Sequence, residues 1–265
     1  MIRSVAIIGA GNVATHLGAA LKQAGIEIRC ICSLHPEHAR KLAVKLGVAH
    51  AGSIKDTDMG NPDAVIISVK DDAIAGVVSQ LPENGAILIH TSGGVSADTL
   101  AGKSPRYGII YPLQTFTWNR SLDFSEIPLF IEACDNDTLA EIRELSEKLS
   151  KTVTAADSEQ RRMLHVAAVF ACNFTNHLYH IASCIMQEAG LPYSMLHPLI
   201  KETAAKAAAM PPALAQTGPA VRDDRKVMNA HLEKIKDERL KELYTALSDS
   251  IMRSATNYGN GIRTE

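Results

Sequence analysis

The sequence carries no surplus of one charge. Its 27 Lys and Arg residues nearly balance 29 Asp and Glu, for a net charge of −2, so nothing electrostatic draws it to nucleic acid or to an anionic membrane surface. Long hydrophobic runs are missing too, and no stretch approaches the ~20 apolar residues that span a bilayer. The first strand pattern begins at the N-terminus, which leaves no room for a signal peptide. Cysteine offers no framework: there are five, an odd number with no disulfide or zinc spacing. Cys30 and Cys32 alternate with isoleucines, as small core residues of a strand do in a reducing cytoplasm. A cytoplasmic chain with no nucleic-acid, membrane or metal partner is expected. At 265 residues, 46% hydrophobic and 21% charged, it has the composition of a soluble globular protein of one large or two ordinary domains.

The stretch from Arg3 to Ala24 organises the rest. Ser4 to Ile8 is a short, partly β-branched apolar run, and Val13, Leu17, Ala20, Leu21 and Ala24 recur at helical spacing. Between them stands Gly9-Ala10-Gly11. A strand that enters a helix through Gly-x-Gly has a physical use: Gly9 permits the tight turn, and Gly11 lets a pyrophosphate approach the backbone. The opening N–H groups and dipole of the helix then face that anion. Ala14 takes the third small position, where helix and strand need only pack closely. The pattern predicts dinucleotide binding by Gly9, Gly11, Asn12 and Val13.

Strand and helix patterns then alternate. Strands are expected at Ile26–Cys32, Gly47–His50, Ala64–Val69, Ala86–His90, Tyr107–Tyr111 and Pro128–Glu132. Helices are expected at Pro36–Leu46, Asp71–Gln80, Val95–Ala101 and Asn136–Leu149. This order argues for an α/β fold, a Rossmann-type, doubly wound, mainly parallel sheet over residues 1–152. In such sheets ligands bind beyond the carboxyl ends of the strands, which selects Ser33, Ser68, Val69, Lys70, Thr91 and Ser92 as further cofactor residues. An NAD-preferring site places a carboxylate about 20 residues past the glycines. Here the chain reads Cys32-Ser33-Leu34-His35, with Ser33 free to meet a 2′-phosphate and His35, Arg40 and Lys41 nearby, so NADP is favoured over NAD. Ser33 equally suits the N-terminus of the helix at Pro36.

Two loops add polar chemistry. His90-Thr91-Ser92-Gly93-Gly94 offers hydroxyls and bare N–H groups after a strand, with His90 and Gly93 as substrate contacts. Tyr111-Pro112-Leu113-Gln114-Thr115-Phe116 brings an amide, Gln114, toward a pocket wall. Composition shifts near Thr152: Asp157 to Ala189 holds neither Pro nor Gly and reads as one helix of roughly thirty residues, well beyond the usual length. Helices at Met195–Ala209, Asp223–Ile235 and Glu238–Tyr258 complete an all-helical domain over residues 153–265. The long helix is apolar around much of its circumference, so burial against a second copy, a homodimer through the helical domain, is expected. Its polar exceptions include His165, Asn173, Asn176, His177 and His180. Thr217-Gly218-Pro219-Ala220-Val221-Arg222-Asp223-Asp224 is a turn into a helix in which Arg222 could bind a carboxylate bidentately; a capped helix start with an internal Arg–Asp pair is the plainer account.

GAGNVA (Gly9–Ala14), HTSGGVSADTL (His90–Leu100), YPLQTF (Tyr111–Phe116), HVAAVFACNF (His165–Phe174) and TGPAVRDD (Thr217–Asp224) together resemble, over essentially the full length, a bacterial oxidoreductase family. In that family a Rossmann-like domain precedes a helical domain of unassigned function. The N-terminal part is similar to the NADP-binding domains of deazaflavin-dependent NADP reductases and pyrroline-carboxylate reductases. The helical part resembles the C-terminal domains of 6-phosphogluconate dehydrogenase relatives, which dimerise through their helices. β-Hydroxyacid dehydrogenases carry a catalytic lysine followed four residues later by asparagine on the long helix; this chain offers Arg161, Arg162, His165 and Asn173 instead. The resemblance implies the fold and the cofactor class, not a substrate; the positions of the motifs lead to the expectation of an NADP-dependent oxidoreductase acting on a small polar, acidic substrate between the domains. His165 is the expected proton-transfer group, since an imidazole titrates near neutral pH; Asn173 would orient the substrate and Arg222 would anchor it. A non-catalytic NAD(P)-binding sensor or scaffold dimer is the alternative, and a methyltransferase a weaker one.

Overall fold

Burial follows the strand pattern from the first residues onward. The computed structural model describes residues 1–83 and 85–261. β1 (Ser4–Ile8) is buried at all five positions, and α1 (Asn12–Gln23) turns Leu17, Ala20 and Leu21 inward. β2 (Glu27–Cys32), α2 (Pro36–Leu46) and β3 (His50–Gly52) follow. Pro36 opens α2, and Gly47 at φ +65° closes it, the asymmetry expected of Pro and Gly at helix ends. β4 (Ala64–Ile67), α3 (Ile74–Gln80), β5 (Ile87–His90), β6 (Tyr107–Pro112), β7 (Leu129–Ala133), α4 (Asn136–Leu149) and β8 (Val153–Ala155) complete the alternation. The sheet order is β3-β2-β1-β4-β5-β6-β7-β8, with every pair parallel except β6 and β7.

Three details depart from the sequence pattern. β3 lies at His50–Gly52 rather than from Gly47, because Gly47 is spent as the left-handed end of α2. β7 runs antiparallel to β6, since only a 3₁₀ turn at Phe124–Glu126, and no α-helical crossover, intervenes between them. β8 extends the sheet beside β7, inside the segment expected to be wholly helical.

The period of two in the strands divides the core between the faces. Ile7, Ile31, Ile66 and Ile89 pack with Leu17 and Leu21 of α1, Leu42 of α2 and Ile142 of α4. Ala6, Ile8, Cys30, Cys32, Val65 and Ile67 pack on the other face with Ile74 and Val78 of α3. Each fully buried isoleucine of this kind contributes about 1.5–3 kcal/mol. The Cys30 thiol is held by a hydrogen bond with Cys32 that, with burial, pushes its titration up, so it behaves as a core group.

Ser158–Ala168 forms α5, capped by a reciprocal Asp157–Gln160 capping box. It continues through a π-helical turn at Val169–Phe174 into α6 (Thr175–Glu188), so the long helix exists with an internal irregularity. Gly190 at φ +70° ends it. α7 (His197–Ala209), α8 (Pro212–Ala215), α9 (Arg225–Lys234) and α10 (Glu238–Gly261) follow. The chain divides into two compact units, one of residues 1–178 and one from Tyr179 onward; residues 262–265, the end of the expected helical domain, lie outside the described residues. Met163, Val166, Phe170, Phe174 and Leu178 are exposed in the single chain. Among the described residues no helix is long and apolar enough to cross a membrane.

Candidate active site

The carboxyl ends of five strands are stitched into one rim. Ser33 N–H donates to Gly52 O (3.0 Å), Gly9 N–H to Cys32 O (2.7 Å), Ser68 N–H to Ile8 O (2.7 Å) and Thr91 N–H to Ile67 O (3.2 Å). Four of the residues singled out from sequence therefore share one edge. The strand order reverses at β1, which β2 and β4 flank, and this is the topological switch point where open α/β sheets bind ligands.

The turn there fits a dinucleotide. Gly9 has φ +118°, and a Cβ on it would lie 2.0 Å from Ser68 O and 3.3 Å from a Val69 methyl. Only glycine permits that crossing. A Cβ on Gly11 would meet nothing within 4 Å, so space stands in front of it. Gly11 is the N-cap of α1, no side chain caps the helix, and its first turn holds no acidic residue. Orphan N–H donors and the positive end of a helix dipole thus face open space, the cradle a pyrophosphate requires. Asn12 supports this turn from outside, its amide donating to Phe116 O at 2.9 Å. Beyond β2 no carboxylate occupies the ribose position; Ser33 Oγ accepts from His35 N–H at 3.3 Å, and the neighbouring His35, Arg40 and Lys41 are exposed. Lys70 is exposed beside the rim, its carbonyl accepting from Ala73.

The second wall is the loop after β5. Thr91 Oγ1 donates to Ser68 Oγ at 3.3 Å, and Ser92 Oγ accepts from Gly94 and Val95 N–H at 3.0 and 3.1 Å. His90 is wholly buried beneath this loop: Nδ1 accepts from Ser92 N–H at 3.2 Å, and Nε2 donates to Ser96 O at 3.3 Å. Burial pushes its pKa down to about 4, with the Arg161 charge adding to the effect. The expected substrate contact is thus a neutral ring whose two nitrogens shape the loop from below.

α5 brings the remaining chemistry. His165 Nδ1 lies 3.1 Å from the Tyr111 hydroxyl, with the rings edge to face at 6.0 Å. Both roof Gly93, where a Cβ would be 2.7 Å from Tyr111 Cζ and 2.9 Å from His165 Nδ1. Asp71, on a 3₁₀ turn after β4, stands against Gly94, with Oδ2 at 3.2 Å from a Cβ placed there. One turn before His165, Arg161 is 1% exposed. It pairs with Glu132 of β7, donates to Val95 O, and lies 3.3 Å from Ser158 Oγ. It thereby fastens the Gly93 loop and the sheet to α5. Desolvation by burial, aided by the Asp71 charge and opposed by Arg161, pushes the Tyr111 phenol up, so it stays protonated at neutral pH.

Tyr111 and Arg161 were not among the expected site residues; Asp71 was, only as the last residue of the stretch that follows β4. Of those that were, Gln114 is exposed and folds onto its own loop, Oε1 accepting from Thr115 N–H at 2.8 Å. Asn173 is exposed within the π-helical turn, and no described hydrogen bond ties it to Tyr111 or His165. Arg222 belongs to the second compact unit and is exposed; the Arg–Asp pair in that turn joins Arg225 to Asp223 at 2.5 Å, while Asp224 caps α9. Among the described residues no group of three or more His, Cys, Asp and Glu side chains could hold a metal ion.

An uncapped glycine turn at the switch point of a doubly wound sheet, with a tyrosine–histidine pair above the neighbouring loop, defines a nicotinamide-dinucleotide-binding class. Residues 4–94 match the family model described as NADP oxidoreductase, coenzyme F420-dependent, and residues 127–251 match a domain of unknown function. A Bacteroides fragilis protein whose structure bears the name "putative NADP oxidoreductase" is 39% identical, with 95% of this chain and 98% of that one covered and a TM-score of 0.87. A 1-pyrroline-5-carboxylate reductase from Streptococcus pyogenes (16% identity, 96% and 98% covered, TM-score 0.61) and an imine reductase from Streptomyces aurantiacus (17%, 96% and 99%, 0.65) share the fold. No curated protein matches the chain. The chain belongs to this family of NADP oxidoreductases: an NAD(P)-dependent oxidoreductase whose cofactor is NADP.

Proposed function

We propose that this protein passes a hydride between NADP and a small polar substrate, with His165 handling the accompanying proton. The observation that carries this reading is the Tyr111–His165 pair lying directly over Gly93, in the loop that continues the cofactor rim. Gly9, Gly11 and Val13 would hold the pyrophosphate, Ser33 a 2′-phosphate, and Ser68, Val69, Thr91 and Ser92 the ribose and nicotinamide. The cofactor supplies the hydride; the protein supplies position, charge and the proton path.

The test is NADPH oxidation followed against a panel of 2-oxo acids and cyclic imines. His165→Ala should lower kcat on the order of 10²- to 10⁴-fold, the usual contribution of a general acid or base. Turnover left intact in that variant would remove His165 from the mechanism. The exposed stripe Met163, Val166, Phe170, Phe174 and Leu178, at spacings of three and four along the long helix, supports a homodimer in which a second copy covers it. The five cysteines, all free, suit a reducing, cytoplasmic setting.

A further inference from the structure

We infer that Tyr111 is the positioning residue of His165, locking its ring as an Nε2–H donor and so readying it to protonate the heteroatom of a C=O or C=N bond. This rests on the reading of His165 as the proton-handling group, and it adds a proton route and a substrate class. A phenol has one proton to give. Tyr111 Oη lies 3.1 Å from His165 Nδ1 and has no other hydrogen-bond partner among the described residues, so the hydroxyl donates and Nδ1 accepts. A neutral imidazole that accepts at Nδ1 carries its proton on Nε2. The tyrosine is the fixed member of the pair: it ends β6 and is only 9% exposed, whereas His165 is exposed on α5.

The surroundings fix both rings in this relation. Gly93 leaves no space between its backbone and either ring, and Arg161, one helical turn before His165, sets the rotation of α5 through Glu132 and Val95. The raised phenol titration keeps the donor protonated. A ring held this way is a donor and a poor base, since its only unprotonated nitrogen is already engaged. It suits a heteroatom that gains negative charge as the adjoining carbon receives hydride. The heteroatom takes the Nε2 proton while Nδ1 takes the hydroxyl proton of Tyr111. Solvent then returns a proton to Nε2 while Nδ1 gives its proton back to the phenolate, which restores the starting tautomer. The bonds broken and formed balance, with the hydride and one solvent proton as the groups the substrate gains.

The decisive measurement is nitrogen-15 NMR of histidine-labelled full-length protein, with and without NADP, His165→Gln identifying the signal. Wild type should show neutral His165 as a single Nε2–H tautomer, and Tyr111→Phe should convert it to a mixed population. NADP binding by thermal shift should remain unchanged. Gly93→Ala, which wedges the two rings apart from a different residue, should give the same mixture. A wild-type ring protonated on Nδ1, or a tautomer indifferent to both substitutions, overturns the inference. Intact turnover in His165→Ala would instead overturn the underlying reading, whatever the tautomer, so the two failures are distinguishable.

Discussion

Gly9 and Gly11 stand two residues apart and answer to different constraints. Gly9 is required by the fold: alanine there would meet both the left-handed φ of +118° and the Ser68 carbonyl at 2.0 Å. Gly9→Ala should destabilise the protein on the order of 3 kcal/mol, read as a shifted urea midpoint. Gly11 has an ordinary φ of −86° and open space before it, so Gly11→Ala should leave the midpoint unchanged while weakening NADP binding about tenfold or more, measured by calorimetry. Both glycines were readable from sequence because Gly-x-Gly between a strand and a helix is a local pattern, although the carbonyl that Gly9 must clear belongs to Ser68, far along the chain. His90 was only half readable. Its position after a strand was evident, but its role in shaping the loop depends on backbone groups that only the folded loop presents. Since its folded pKa, about 4, lies below the ordinary value near 6.5, the folded state binds fewer protons than the unfolded state between these values. Its contribution is therefore complete above about pH 6.5 and is lost progressively as pH falls toward 4, up to about 3 kcal/mol. Denaturation midpoints followed from pH 7 to 4 should fall accordingly, with a shallower fall in His90→Gln.

α5 shows what a helix gains from one buried charge. The capping box at Asp157 and Gln160 fixes where it starts, and Arg161 fixes how it is turned. A charged residue on a sequence-predicted helix is ordinarily solvated, so nothing in the local pattern marked Arg161. Its partner Glu132 is 29 positions earlier, on the strand whose antiparallel pairing was likewise unexpected. Breaking a buried pair leaves an uncompensated charge, so Arg161→Ala should cost about 3–5 kcal/mol. Arg161→Met should cost less, because its longer side chain refills space that alanine leaves empty, although Glu132 is left unpaired in both variants. The π-helical turn at Val169–Phe174 was invisible to periodicity, because the same residues satisfy an α-helical pattern. Such turns often mark functional segments, and this one follows His165 by a single turn.

Alternation announced a doubly wound, mainly parallel sheet, while the order β3-β2-β1-β4-β5 is one of the few arrangements that short, right-handed connections leave open. The end of the sheet was less legible, since β8 has three residues, of which only Val153 is partly buried, and borrows its order from β7. The apolar surface of the long helix was legible as a run too hydrophobic for one chain to cover. Phe170 is 65% exposed, so Phe170→Glu should leave the folding of a single chain intact. If a second copy covers the stripe, the variant should elute as a monomer in size exclusion with light scattering where wild type elutes as a dimer. Identical elution of both would place the assembly surface elsewhere.

The amide of Asn12 reaches Phe116, and His16 lies 3.0 Å from the Thr117 carbonyl. The first turn of α1 thus holds the loop that leaves Tyr111. A ligand that steadies this turn also lowers the free energy of the loop's ordered form, and loop order in turn must favour the ligand by the same amount. NADP should therefore slow tryptic cleavage at the exposed Arg120, and Asn12→Ala should abolish the protection. The glycine turn is in this sense one end of a thermodynamic linkage whose other end is the tyrosine.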